Sequence, residues 1–459
     1  MTLSFIVCLL SFLAIGIYSS TRKKPTTEDY LLASREVSPW LIGLSAVSTA
    51  NSGFMFIGLI GATYAVGLSS MWLMVGWISG DYLTWLWIHR HLRERSEELG
   101  AKSVTHFLGA SEDGDQRGIV VVAALASLAF LGTYAGAQLT AGSKALSVLF
   151  GWDYGVGILL GAGIVVAYCF AGGIRASIWT DAAQATVMFV AMYLLLAVAL
   201  KEIGGFAALW NQLRVIDPAL VHWRPADLRF GFMLYMVSWV AAGLGALGQP
   251  HIVVRPMAID SSEHITLARR VYFIYYTLFS AAAIAVGLCA RVLLPIVDQF
   301  DPELGLPALS QLLLPEVLVG VVLAGIFAAT ISTADSQILS CSAALTQDLL
   351  PSWGESYTKT KLGTLIVTCG VVLFVAFGGQ SVFDLVVLSW AALGGTLGPL
   401  LAIRALGQTV STRLAVTMMG VALVVMVLWR TLGDPGSVYE ILPGVLSGFL
   451  VYGFGRKWL

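Results

Sequence analysis

The stretch SAVSTANSGFMFIGLIG, residues 45–61, decides how this chain is organised. It lies within a long apolar run, yet its first half carries the polar or small residues Ser45, Ser48, Asn51 and Gly53. Glycine weakens a helix, and short polar side chains offer the backbone other hydrogen-bond partners. A backbone group that is freed inside a bilayer must be satisfied by protein, water or a ligand. The stretch therefore predicts a broken helix that lines a cavity.

A second apolar run is interrupted in the same way. In AAGLGALGQPHIVVRP, residues 241–256, three glycines precede Pro250, which has no backbone donor. The two interruptions fall in the second and seventh predicted spans. Paired interruptions in corresponding spans of two halves are typical of a five-plus-five inverted-repeat transporter with a central binding site. The alternative is that Gly and Ser only allow close packing between helices.

The composition is that of a polytopic membrane protein. The 459 residues are 58% hydrophobic and 12% charged, whereas soluble domains carry about 25% charged residues. Lipid is therefore an expected partner. The net charge of −1 gives no indication of a nucleic-acid partner. The five cysteines lie within apolar runs and are expected to be small buried residues rather than disulfides or metal ligands.

A spanning helix needs about 20 apolar residues, and the chain contains thirteen candidate segments. They lie near residues 2–19, 38–65, 69–91, 118–148, 153–171, 176–200, 229–248, 267–295, 315–346, 361–378, 381–404, 411–430 and 437–455. The fold class predicted from them is an all-α polytopic membrane protein.

The basic residues predict the orientation. Most of the 26 Lys and Arg residues fall in alternate loops, and cytoplasmic loops are the ones enriched in them. Lys23, Arg175 and Arg255 are assigned to these loops, and Lys457 belongs to the tail. The pattern predicts a multi-pass protein of the cell inner (plasma) membrane, with its N-terminus outside and its C-terminus in the cytoplasm.

Five stretches, spread over nearly the whole chain, resemble the sodium/solute symporter family, most closely its sodium/proline symporter branch. They are LSAVSTANSGF (44–54), AGGIRASIWTDAAQ (171–184), GLGALGQPHIVVRPMAI (243–259), FAATISTADSQILSCSAALTQDL (327–349) and SWAALGGTLGP (389–399). The resemblance implies one preceding helix, a ten-helix inverted-repeat core and two following helices. The corresponding ranges are 2–19, 38–200 for the first repeat, 229–404 for the second repeat, and 411–455.

The resemblance also implies a sodium site between the second and ninth spans. Its expected ligands are the carbonyl oxygens of Ser48, Asn51 and Ala329 and the hydroxyls of Ser332 and Thr333. Neutral oxygens suffice to bind a monovalent cation. The alternative is that the two hydroxyls bond only to carbonyls of their own helix, as Ser and Thr often do in membranes.

Acidic residues within the spans depart from the pattern of the nearest branch. The proline symporters have an aspartate where this chain has Ala50, and a serine where it has Asp335. An unpaired charge inside the membrane costs at least about 2.5–3.5 kcal/mol. The hypothesis is that Asp335 supplies the negative charge that is missing at Ala50.

Two further acids lie within the spans. Asp181 is implied by the resemblance in ion coupling, and the alternative is a structural carboxylate bonded to Thr180 or Gln184. Asp81 has no role in the resemblance and is expected to pair with a nearby Arg or with a Trp N–H.

The residues implied in solute binding surround the two interruptions. They are Ser52, Gly53, Tyr134, Ala242, Ala246, Gln249 and Pro250, and Gln138 lies one turn from Tyr134 on the same face. The proline branch has aromatic residues where this chain has Ala242 and Ala246. The pocket is therefore expected to be larger than a proline pocket or to be filled by other side chains, and Trp390 either closes it or packs elsewhere.

The function predicted is sodium-coupled secondary active import of a small organic solute, either an amino acid or a carboxylate. One alternative is a symporter-like solute-sensing membrane module. Another is a proton-coupled symporter, because Asp181 and Asp335 lie within spans. An enzyme is not expected, because the histidines, including His89 and His251, are assigned to loops or interfaces and no nucleophile–base or metal spacing is present. The solute and the oligomeric state are left open.

Overall fold

The computed structural model describes residues 1–22, 24–112, 114–294, 300–377 and 381–456, and these form helices joined by short loops. From the N-terminus the α-helices are α1 Thr2–Ser20, α2 Thr27–Leu32, α3 Pro39–Gly53, α4 Leu59–Val66, α5 Met71–Trp87, α6 His89–Glu98, α7 Val104–Gly109, α8 Arg117–Phe150, α9 Tyr154–Ile203 and α10 Phe206–Ile216. They continue as α11 Gly231–Leu244, α12 Pro250–Ala258, α13 Ile265–Leu293, α14 Gly305–Leu313, α15 Glu316–Ala343, α16 Pro351–Gly354, α17 Tyr357–Phe377, α18 Val382–Ala405, α19 Thr412–Leu432 and α20 Ile441–Gly455.

Among the described residues, ten helices are long and apolar enough to cross a membrane, and two shorter apolar helices accompany them. One of the ten, Pro39–Trp87, contains the predicted spans 38–65 and 69–91, which meet at a tight turn at Gly67–Ser70. The prediction of an all-α polytopic membrane protein is confirmed. The number thirteen and the division into two repeats stay predictions.

The first predicted interruption lies at Ser52, which has φ 47° and ψ −179° inside the run of α3. A left-handed φ is unfavourable for a residue with a Cβ. The Ser52 hydroxyl oxygen accepts the Phe54 N–H at 3.1 Å and so holds the break in place. A π-helical turn, Phe54–Gly58, then leads into α4.

The second predicted interruption lies between α11 and α12. Gly245–Gly248 forms a 3₁₀ turn, and Gln249 is extended with φ −101° and ψ 93°. Pro250 is the first residue of α12, where a missing backbone N–H costs nothing. Both interruptions are therefore present where the glycines and the proline predict them.

A third break separates the two predicted spans 153–171 and 176–200, which form one long helical run, α9. The break is at Gly173, with φ 59° and ψ −144°. A Cβ at this position would lie 2.3 Å from the Tyr30 carbonyl oxygen. Only glycine combines this conformation with such a close approach of another backbone.

Helix α15 forms the centre of the bundle and packs against α9, α8 and α3. Its side chains are almost all buried, including the polar ones between Thr330 and Gln337. Peripheral helices leave large apolar side chains exposed, such as Leu10 on α1, Leu373 on α17 and Val424 on α19. This distribution places the polar groups inside and the apolar surface toward lipid.

Some sequence predictions fall outside the described residues. Lys23 and Lys457 of the charge pattern do so, as do the predicted span ends at residues 295 and 378.

Candidate ion and solute site

Two hydroxyls of α15 face the broken end of α3. The Ser332 Oγ lies 3.4 Å from the Ser48 carbonyl oxygen, and the Thr333 Oγ1 lies 2.9 Å from that of Thr49. Both hydroxyls also lie near the Ala329 carbonyl oxygen, at 3.2 and 3.0 Å. Each hydroxyl therefore lies near one carbonyl of α3 and one carbonyl of its own helix. The alternative in which they bond only to their own helix is incomplete, and so is the one in which they face only α3.

The oxygens gathered here suit a monovalent cation. Ser48, Ala329, Ser332 and Thr333 supply two carbonyl and two hydroxyl oxygens, all neutral and all buried. Such a set is of the kind that replaces the hydration shell of Na⁺. These four residues fit the ion and are the ones that would hold it.

Asn51 is placed differently from the other predicted ligands. Its carbonyl oxygen accepts the N–H of Phe54 across the break, while its side-chain amide is buried with no partner. In the fold it is the Thr49 carbonyl, rather than that of Asn51, that meets Thr333. The ligand assignment of Asn51 stays a prediction.

A buried ion pair lies beside these oxygens. Arg255 on α12 donates to Asp181 on α9 at 3.0 Å, and both side chains are fully buried. Ser45 on α3 joins them, because its hydroxyl donates to Asp181 at 2.6 Å and accepts from the Arg255 Nε at 3.0 Å. Thr180, by contrast, donates only to carbonyls of its own helix. The side-chain amide of Gln184 has no partner, so the two partners named in the structural alternative are wrong. The role of Asp181 in ion coupling stays a prediction.

Arg255 corrects a second prediction, since it was assigned to a cytoplasmic loop. It lies in the buried helix α12, which begins at Pro250. Its guanidinium contacts residues of α3, α9 and α15. The sequence signal for this arrangement was the acid in IWTDAAQ, because a carboxylate within a span needs a cationic partner.

Asp335 shares this cluster without an ion pair of its own. Its Oδ1 accepts from Ser177 at 3.1 Å and from Ser336 at 2.9 Å, while its Oδ2 has no partner. Arg255 reaches it through two hydroxyls, since it donates to Ser336 and, at 3.5 Å, to Ser177. Two buried carboxylates thus share one guanidinium, and Asp335 lies on the α9 side of α15 rather than among the oxygens that face α3.

Asp81 also has partners other than the expected Arg or Trp. Its carboxylate accepts from the Tyr272 hydroxyl at 2.7 Å and from Thr84 at 3.1 Å. Hydroxyl donors on α13 and on its own helix therefore satisfy this acid.

The predicted solute residues of α3 and α8 lie together. The Tyr134 hydroxyl donates to the Ser52 Oγ at 3.3 Å, and the Gln138 Oε1 accepts the Gly53 N–H at 2.7 Å. A Cβ on Gly53 would lie 2.9 Å from Ala141 and 3.0 Å from the Gln138 amide oxygen. The chain therefore has no room for a larger residue at Gly53.

The residues of the second interruption surround Trp390. Its indole N–H donates to the Ala242 carbonyl at 2.7 Å, and its backbone carbonyl accepts from the Gln249 amide at 3.0 Å. The Trp390 ring packs against Trp77 with centroids 4.5 Å apart. Aromatic rings from α18 and α5 therefore lie beside Ala242. The solute pocket itself stays a prediction.

The remaining two predicted residues shape the backbone. The Ala246 carbonyl accepts the N–H of Gln249 in the 3₁₀ turn, and Pro250 begins α12. Both are buried. Their positions give the amide of Gln249 its direction.

His251 is a residue that the sequence prediction missed. It is fully buried, and its ring lies edge-on to Tyr134 with centroids 5.5 Å apart. His89 is buried as well, next to Trp85. The assignment of these two histidines to loops or interfaces is wrong. The signal was the position of His251 directly after the interruption.

We refer to Arg255, Asp181 and Asp335 together as the ion cluster. A narrow cavity leads away from it. It has a volume of about 20 Å³ and runs from Arg255 and Ser336 to Ser103 and Thr105, at the start of α7. This is space for about one water molecule. At the α7 end the Ser103 and Thr105 hydroxyls donate to buried Asp348.

Comparison with known proteins places this chain in one family. The model of the sodium:solute symporter family matches residues 30–425. The chain is 29% identical to the sodium/proline symporter of Escherichia coli (strain K12), over 98% of this chain and 91% of that protein. It is 29% identical to the osmoregulated proline transporter OpuE of Bacillus subtilis (strain 168), over 97% and 92%.

Solved structures share the fold. A Na⁺-coupled sialic acid symporter in a substrate-bound, outward-open state has a TM-score of 0.83 at 19% identity, covering 100% of this chain and 98% of its own. Mhp1, a nucleobase-cation-symport-1 family transporter in a closed conformation, has a TM-score of 0.62 at 15% identity, covering 95% and 96%. The chain is an integral membrane protein that belongs to the sodium:solute symporter family, with Na⁺ as its coupling ion, as predicted.

Proposed function

We propose that the chain imports a small organic solute, an amino acid or a carboxylate, together with Na⁺ across the cell inner membrane. The ion is held by Ser48, Ala329, Ser332 and Thr333, and the solute lies beside Tyr134 between the two broken helices. Transport then follows from alternating access to this site from the two sides. The N-terminus lies outside and the C-terminus in the cytoplasm.

One observation carries this proposal. The hydroxyls of Ser332 and Thr333 face backbone carbonyls of α3, immediately before the break at Ser52. A continuous helix would use those carbonyls internally, so the break and the hydroxyls together make a place for a cation.

The solute class is wider than proline. Several relatives are proline symporters or transporters, and one structural neighbour is a sialic acid symporter. In this chain Ala242 and Ala246 are small, and Trp390 with Trp77 supplies the aromatic surface instead. Because different residues supply the aromatic surface, the site favours an amino acid or carboxylate other than proline.

The test uses purified protein. A thermal-shift screen of amino acids and carboxylates in NaCl against choline chloride identifies a solute whose stabilisation needs Na⁺. Uptake of that solute into proteoliposomes, driven by an inward Na⁺ gradient, separates transport from sensing. Uptake that follows an imposed proton gradient without Na⁺ contradicts the proposal.

The ion site is tested by Ser332→Ala and Thr333→Ala. Interactions with a charged group contribute about 1.5–3 kcal/mol, so the Na⁺ concentration for half-maximal uptake should rise at least ~10-fold. The matched control is Thr368→Ala on α17, which removes a buried hydroxyl that bonds only to its own helix. Wild-type Na⁺ dependence in both site variants would overturn the assignment.

A further inference from the structure

Three buried side chains near Tyr134 and Trp390, whose ring centroids are 6.5 Å apart, have polar atoms without a partner. They are the Gln138 Nε2, the Gln249 Oε1, and both ring nitrogens of His251. All three side chains are fully buried. Buried polar groups are almost always hydrogen-bonded in folded proteins, so three such groups at one place require an explanation.

Two of these side chains are held at one end and free at the other. The Gln138 Oε1 accepts from the Gly53 N–H, which leaves its NH₂ group free. The Gln249 NH₂ donates to the Trp390 carbonyl, which leaves its Oε1 free. The bonded end fixes the direction of each amide, so the free ends are oriented before a solute arrives.

His251 is the third buried side chain with unpartnered polar atoms, beside Gln138 and Gln249. Its ring stands edge-on to Tyr134, whose hydroxyl reaches Ser52 at the other broken helix. Its backbone carbonyl accepts from Arg255, which anchors the residue to the ion cluster. His251 therefore contacts Arg255 through its backbone and Tyr134 through its ring.

The free groups define a chemical class. The Gln138 NH₂ donates, the Gln249 Oε1 accepts, and a neutral imidazole has one donor and one acceptor. None of the three carries a full charge, and the neighbouring charges of Arg255 and Asp181 are paired with each other. A matching solute must offer both an acceptor oxygen and an N–H or O–H donor.

We propose that His251 contacts the solute and selects compounds that carry both hydrogen-bond donors and acceptors, against carboxylates that have no donor. The inference rests on the proposed function, since it assigns the solute site of the same symporter. It narrows the class of amino acid or carboxylate to amino or hydroxy compounds.

The experiment compares solutes that differ by one donor group. L-proline with cyclopentanecarboxylate, and L-alanine with propionate, are measured by thermal shift and by uptake in Na⁺ and in choline. The donor-bearing member of at least one pair should be preferred at least ~10-fold, because the site would otherwise leave a buried acceptor unpaired. In His251→Phe, which keeps a ring but has no polar atom, this preference should fall to about 2-fold or less.

Two further variants keep the test decisive. His251→Gln retains a donor and an acceptor and should keep part of the preference even if the Phe variant does not fold. His89→Phe is the matched control, since His89 is also fully buried with both nitrogens unpartnered but packs against Trp85. Its preference should equal that of the wild type.

Failure of the inference can be distinguished from failure of the proposed function. Na⁺-dependent binding of the carboxylates at least as tight as that of their amino partners overturns the inference and leaves the symporter intact. An unchanged preference in both His251 variants does the same. Absence of any Na⁺-dependent stabilisation or uptake across the panel contradicts both.

Discussion

At the scale of single residues, the charges beside the ion oxygens are distributed unevenly. Helix α15 carries Asp335, whereas α3 carries the uncharged Ala50 at the position where the family resemblance expects an acid. Asp335 is three residues, about one helical turn, from Ser332 along α15, and its carboxylate faces Ser177 on α9. Its carboxylate contacts only hydroxyls, and one of its oxygens is unpartnered. In the part of the chain that the structure describes, no cation contacts this carboxylate directly.

Asp335→Asn tests whether this charge assists Na⁺ binding. Removing a negative charge about one helical turn from the ion should raise the Na⁺ concentration for half-maximal uptake roughly 3- to 10-fold. The control is Asp81→Asn, because Asp81 is also a buried acid with hydroxyl partners. If Asp335→Asn leaves the Na⁺ dependence of uptake unchanged, the hypothesis that Asp335 replaces the acid missing at Ala50 fails.

At the scale of helices, the site is built where helices stop being regular. Ser52 breaks the run of α3, and the 3₁₀ turn with Gln249 separates α11 from α12. Arg255 then ties the broken pieces to their neighbours, since it contacts Ser45 on α3, Asp181 on α9 and Ser336 on α15. The helices gain a fixed arrangement from a single side chain.

Arg255→Met is expected to destabilise the bundle. It leaves Asp181 buried without its cation, a loss that typically costs about 3–5 kcal/mol. The melting temperature of the purified protein should fall clearly, and Arg255→Met with Asp181→Asn should recover part of it. Arg90→Met is the control, because the Arg90–Glu94 pair is exposed and is expected to contribute at most ~1 kcal/mol. Equal melting temperatures for the two single variants would contradict this account.

At the scale of the whole molecule, an ionic contact lies near each end of the bundle. Lys144 on α8 pairs with Asp301 at 2.9 Å and with Glu303 at 2.7 Å. At the other end, Arg175 pairs with Asp29 at 2.5 Å. About 30 Å of α9 separates the start of that helix, beside α8, from Arg175, which is the thickness of a bilayer core. These two contacts therefore join segments that are distant in the chain, one near each end of the bundle.

The contact at Asp29 is ionised at neutral pH. Burial raises the pKa of its carboxyl, but hydrogen bonds from Arg175, the Lys24 N–H and Ser34 outweigh that effect and hold the pKa below its ordinary value. Asp29 lies in α2, ahead of the first broken helix, so this contact connects the N-terminal segment to the break in α9.

The orientation of the molecule is open to a direct labelling experiment. Ala226 lies in a loop predicted to be outside, and Glu112 lies in a loop predicted to be cytoplasmic. Both residues are exposed, and the two variants are Ala226→Cys and Glu112→Cys. In a Cys369→Ser background, which removes an exposed native thiol, a membrane-impermeant maleimide should label the first variant in intact cells. The second should be labelled only after permeabilisation. The reverse pattern would invert the proposed topology.

Local chemistry allowed much of the fold to be predicted from the sequence. The apolar runs predicted membrane helices, and the Gly, Ser and Pro clusters predicted breaks that the structure has at Ser52 and before Pro250. The hydroxyls of Ser332 and Thr333 were predicted to face the first break, and they do. The helices and breaks depend on residues that are near one another in the chain. The contact between the two hydroxyls and the first break was predicted from motifs shared with the family.

Partners that are distant in the chain were not predictable in this way. Arg255 was assigned to a loop and His251 to a loop or interface. In the structure Arg255 binds Asp181, 74 residues away, and His251 packs on Tyr134. The sequence by itself determined which helices break and which polar residues lie within them, because backbone conformation depends on neighbouring residues. Only the tertiary structure decided which buried charges are paired and which polar atoms are left free for a solute, because that depends on how the helices pack.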